Sequence, residues 1–156
     1  MSGIIGGAGS KSGVVGMAAH DVEKNSWHLW ASDSRSIANA VLDFDGVSKL
    51  GSRCTESGGR VTVLDGGLYW IAATIHKYNN TDNTTDMVLR IGGTAYNGTR
   101  ILVANTSVNA NWEGESGAWA IPLIAGQVVD MYGSAYHQGA GSPSASTCFS
   151  GVRIGA

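Results

Sequence analysis

Apolar and polar residues alternate with a period of two through much of this chain, the repeat of an extended strand. In the run GGLYWIAATI, Tyr69, Ile71, Ala73 and Ile75 fall on one side and Leu68, Trp70, Ala72 and Thr74 on the other. Both sides are largely apolar, so this strand is expected at the centre of a sheet. Further β-like runs stand at 61–64, 87–91, 101–103, 119–124, 128–132 and 148–154. Between them lie clusters of Gly, Asn, Asp, Ser and Thr at 78–85, 92–93, 97–98, 109–117 and 139–144, residue types that tolerate positive φ or close Asx-turns. Short strands separated by such clusters predict an all-β sandwich or jelly roll.

No stretch after Val22 repeats its apolar residues at three and four over a dozen positions, so no long helix or coiled-coil stalk is expected. Positions 27–37 carry little pattern, and Trp27 and Trp30 are expected to cover one end of the sandwich. Residues 1–20 read as a separate arm ahead of a domain over 21–156. The arm is rich in Gly and Ser but holds two apolar pairs, Ile4-Ile5 and Val14-Val15, with Lys11 between them, which suits an attachment peptide.

Composition narrows the functional classes. Charged residues are 14% of the 156, well below the usual quarter, so the water-facing surface must be largely neutral. A net charge of −2 without a Lys/Arg run gives no footprint for a nucleic-acid backbone. The first residues lack the basic cluster and apolar run of a secretory signal, and no apolar stretch approaches a membrane span, so synthesis in the cytosol without membrane insertion is expected. In that compartment Cys54 and Cys148 are expected as small buried or half-buried thiols rather than a disulfide.

Chemistry is sparse. The segment GGAGSKS approaches a phosphate-binding loop but lacks the Gly before the Lys and a helix after it. His20, His28, His76 and His137 are too scattered to share a metal, and Asp43, Asp45, Asp82 and Asp86 read as turn residues rather than a calcium cage. Glu113 and Glu115 read as solvated loop charges, not a glycosidase pair. No cofactor or metal is expected, and no enzyme. Among the aromatics near loops, Trp112 and Tyr136 are the candidates for contact with a host surface glycan.

The runs GGLYWIAATI, VLRIGG, AIPLIAGQVVDMYG and STCFSGVRI resemble the globular-head family of complement and the tumour necrosis factor (TNF) ligands over about residues 41 to 156. Gly67, Tyr69, Leu123, Gly126, Val128, Phe149 and Gly151 occupy that family's spaced positions, with Gln127 where Asp is commoner. The resemblance implies a TNF-like jelly roll of about ten strands that packs as a homotrimer, with Tyr69, Ile71, Leu123, Val128, Tyr132, Phe149 and Gly151 in its core and subunit contacts. The opening SGIIGGAGSKSGVVG resembles the start of small virion proteins of tailed bacteriophages. That likeness implies a capsid decoration or cement protein, its arm gripping the major capsid protein or another virion protein. The alternative is the receptor-binding tip of a tail or head fibre.

Overall fold

The structure is a computed structural model that describes residues 19–78, 85–103, 112–137 and 147–156. The arm residues Ile4, Ile5, Lys11, Val14 and Val15 lie outside them. A single turn of helix, α1 (Ala19–Lys24), spans the boundary expected at residue 20 and leads into β1 (Ser26–Trp30). The strands that follow are β2 (Arg35–Val41), β3 (Gly46–Leu50), β4 (Cys54–Ser57), β5 (Arg60–Val63), β6 (Gly67–Tyr78), β7 (Thr85–Ile91), β8 (Thr94–Val103), β9 (Trp112–Leu123), β10 (Val128–His137) and β11 (Cys148–Gly155). The described residues thus form eleven strands where about ten were expected.

Two antiparallel layers face each other. One runs β3-β1-β11-β6-β9 and is called the inner layer below. In the other, β10 pairs with β7 along one side and with β5 and β2 along the other, while β4 and β8 extend it outward. Near its end β10 crosses over, and His137 pairs with Lys77 of β6. A bulge lies just before that crossing. Gly133 sits there at φ 154°, and a Cβ would meet the Asp86 carbonyl oxygen at 1.9 Å, so only glycine lets the strands approach so closely.

The alternation read in the sequence sets the core. Tyr69, Ile71 and Ile75 of β6 point inward and are fully buried with Ile121, Leu29, Phe44, Phe149, Met87 and Leu89. Phe149 is the hub of an aromatic cluster, with ring centroids 5.5 Å from Phe44 and 5.7 Å from Trp27. Trp27 is therefore a central core residue rather than a cover for one end, because β1 lies between β3 and β11 and turns this side chain inward. Trp30 is half-buried, its ring lying where a Cβ on Gly46 would stand.

Two turn expectations give way to strand. Asn97-Gly98 lies within β8, and β9 already begins at Trp112, so Glu113 and Glu115 sit on a strand opposite Lys77 and Ile75 rather than on a loop. Long cross-strand pairing along β6 overrides the weak local preference of the Gly, Glu and Ser residues there.

The sandwich has two unlike poles. Segments 79–84, 104–111 and 138–146 lie outside the described residues, and the pairings Tyr78↔Trp112, Lys77↔His137 and Thr85↔Val103 place their flanking residues toward one pole. The opposite pole carries tight turns and the end of α1, where Asn25 accepts a backbone hydrogen bond from Arg153 at 3.0 Å.

Candidate assembly interface

The outward face of the inner layer is built from every second residue of four strands. Cross-strand register aligns them in rows: Trp30, Cys148, Thr74 and Ser116; His28, Ser150, Ala72 and Ala118; Ser26, Val152, Trp70 and Ala120. Leu68 and Pro122 close the array, with Ile154 beside them. No Asp, Glu, Lys or Arg occupies any of these positions. An antiparallel sheet with one face in water normally alternates toward polar and charged residues on that face, and this one does not. Trp70 is 47% exposed and Ile154 equally so, with Leu68 at 37%. A depression of about 250 Å3 opens between β1, β11 and β6, lined by Ser26, His28, Trp70, Ala72, Ser150 and Val152.

Two pairs of polar groups on this face satisfy each other, while among the described residues Trp30 Nε1 and His76 Nδ1 are buried there without a hydrogen-bond partner. His28 Nδ1 and Ser150 Oγ lie 2.6 Å apart, and the Thr74 and Ser116 hydroxyls 2.9 Å. Neutral pairs of this kind cost little to cover, since their hydrogen bonds go with them.

The other layer is the electrostatic opposite. On its outward side Asp130 is 98% buried beneath Arg90, whose Nε and Nη2 donate to the two carboxylate oxygens at 2.8 and 3.0 Å, while Arg60 Nε stands 3.7 Å away. The Arg90 guanidinium also covers the Tyr132 ring at 3.9 Å. Arg100 grips Asp86 in a second fork, at 2.7 and 2.5 Å, which holds the Asp86 carboxyl below its ordinary range. At the pole near α1, Arg53 donates to both oxygens of Asp65 and holds its carboxyl down to about 2. Among the described residues, then, the ion pairs sit on one layer and at one pole, and the inner layer's face carries none.

The expected residues distribute over several environments. Tyr69, Ile71, Leu123, Phe149 and Gly151 are buried between the layers, in one subunit's own core. Tyr69 additionally donates its hydroxyl to the Asp65 carbonyl at 2.8 Å, and burial pushes that hydroxyl's pKa up to about 12. Val128 is half-buried on β10, and Tyr132 lies half-buried under Arg90 on the charged layer, not in the core, because the even positions of β10 point outward. Trp112 and Tyr136 belong to β9 and β10. Their strands flank the end of β6 on either side, which brings the two backbones to the same pole. Cys54 is buried and Cys148 half-buried, both free thiols as expected.

The residues that sequence reasoning passed over are Trp70, Val152 and the small series Ala118, Ala120 and Pro122. A signal existed: those three small residues alternate with Trp119, Ile121 and Leu123, so a smooth, uncharged stripe was legible in the sequence.

No protein-family model and no curated protein matches this chain. Solved structures do match. The fold is similar to that of murine APRIL, at 18% identity and TM-score 0.63, over 83% of this chain and 98% of that one. It is similar also to that of Eiger TNF from S. frugiperda, at 16% identity and TM-score 0.61, over 83% of this chain and 92% of the other. The architecture is therefore the TNF-like jelly roll expected from the resemblance.

Proposed function

We propose that three copies of this domain assemble around a common axis through the uncharged face of β1, β11, β6 and β9, and that the trimer is a binding and structural module rather than an enzyme. One observation carries the reading: four adjacent strands present an outward face with no charged residue and a half-exposed Trp70 at its centre. A monomer rarely leaves so continuous an apolar patch in water. A closed ring of identical subunits covers such a patch without leaving a free copy of it, which an open chain of contacts would do. The fold likeness to a TNF structure agrees with this arrangement.

The place of work we propose is the surface of a bacteriophage particle. There the trimer acts as a decoration or cement protein, held by arm residues 1–20 to the major capsid protein or another virion protein. The Gly- and Ser-rich arm with its Ile4-Ile5 and Val14-Val15 pairs supports this, because three weak apolar grips carried by one trimer multiply into a firm one. Native mass measurement at micromolar concentration tests the assembly, with a trimer expected; a monomer would overturn it. Deleting residues 1–16 tests the arm: the trimer should survive while occupancy on particles is lost.

A second reading, a receptor-binding tip, is favoured by one feature, the convergence of Trp112 and Tyr136 at the pole away from α1. Binding of host glycans by the isolated trimer, lost in Trp112→Ala, would select it.

A further inference from the structure

We infer that the proposed assembly is acid-sensitive, with His28 as the group that senses the proton; this rests on the assembly reading above. His28 lies in the middle row of the uncharged face, half-buried, at the edge of the depression beside Trp70. Its Nδ1 is held 2.6 Å from Ser150 Oγ, so the ring has a fixed place. That bond survives in either protonation state, because a hydroxyl both donates and accepts. What protonation changes is charge.

Among the described residues, the strands around it offer an imidazolium no counter-ion. On β11 the flanking groups are Ser150, Cys148 and Val152, and across β6 the same row continues with Ala72. On its own strand Ser26 and Trp30 share the face. On β3 the register partner is Lys49, exposed and of like charge. The strand β3 contains no carboxylate, and no outward position of β1, β11, β6 or β9 holds one. In a free subunit water solvates the charged ring. Once a neighbouring copy covers the face, water leaves, and the positive charge is stranded among apolar and neutral groups next to a lysine.

The linkage has one sign. Covering the face disfavours the protonated ring, so the assembled state binds fewer protons than the free subunit, and assembly weakens as pH falls through the histidine range of about 7 to 5. Three copies carry three His28 rings, so their effects on the equilibrium multiply; His76 shares the outward side of β6 farther along, its ring over Gly114.

Sedimentation velocity of the full chain at about pH 8 and about pH 5 tests this, with far-UV circular dichroism at both to follow the fold. Expected is a trimer at the higher pH whose midpoint concentration rises about tenfold or more at the lower pH, with an unchanged β spectrum and with His28→Gln remaining trimeric at both. Equal assembly of the wild type at both pH values overturns the switch. So does acid dissociation that persists in His28→Gln, or dissociation that merely accompanies unfolding. A wild-type monomer already at the higher pH sinks the assembly reading itself, a separable result.

Discussion

Arg90 reaches across from β7 to its register partner Asp130 on β10 and closes a two-pronged hydrogen bond over a carboxylate that is 98% buried. The geometry makes the partners unequal. Arg90 keeps a side-chain exposure of 16% and rests on Tyr132, so it can find water, whereas Asp130 at 3% cannot.

Removing the guanidinium should therefore be severe. Arg90→Ala leaves a buried carboxylate with only the more distant Arg60, and a loss of about 3 to 5 kcal/mol is expected. Replacing both residues together should cost less than the sum, since the orphaned charge disappears with its partner. Urea unfolding of the two single variants and the double variant checks this; additive losses would show that the pair is not coupled.

Charge placed on the inner layer's face should separate assembly from folding. Trp70→Glu and Ala118→Asp both add a carboxylate where neither side chain supports the core, so the subunit should fold with near wild-type stability. Association should weaken by about 2 kcal/mol or more per contact, as for a buried tryptophan anchor. Size measurement beside thermal unfolding reads both effects. The same carboxylate introduced on the charged layer, for example by Val88→Glu on β7, serves as the control and should leave the association state alone.

Packing over β11 leaves no room for a methyl group at Gly151. A Cβ there would meet Trp27 Cζ2 at 2.1 Å, and Trp27 is itself wedged against Phe149 and Tyr69. Gly151→Ala should therefore destabilise by about 1 to 3 kcal/mol through displacement of the indole. Pairing it with Trp27→Phe should recover part of that loss, which denaturant midpoints would reveal.

Acid should act through Asp65. Its carboxyl is held down to about 2 by the hydrogen bond from Arg53, against an ordinary value near 4, so the folded state resists protonation. A lowered folded value contributes stability above the unfolded value, lost as pH falls through the folded one. Unfolding midpoints should fall between about pH 4 and about pH 2, and Arg53→Gln should flatten that slope while Tyr69 keeps its bond to the Asp65 carbonyl. An unchanged slope would remove Arg53 as the cause.

The sequence showed the strands more clearly than their orientation. Positions 68–75 read as a central strand, and they are one, with β11 and β9 on either side. Yet alternation alone cannot say which half of the residues faces the partner layer. Tyr69 and Trp70 are both large and aromatic, and only the second layer decides that Tyr69 is sealed while Trp70 is left half in solvent. Of the residues expected in the core and subunit contacts, Tyr69, Ile71, Leu123, Phe149 and Gly151 are one chain's own core. Trp27 was misplaced for a related reason. The vacancy it fills is made by Gly151, more than a hundred residues away, and no local window joins the two. Trp112 to Gly117 looked like a turn because Gly, Glu and Ser dominate it. Its strand character is imposed by twelve consecutive pairings with β6.

The two poles described above give the domain a direction. Because α1 and the tail of β11 lie side by side, a fluorescent tag joined behind Ala156 would emerge beside α1, at the pole away from Tyr78, Trp112 and His137. On an oriented particle, such a tag would report whether the pole that holds Tyr78, Trp112 and His137 points outward.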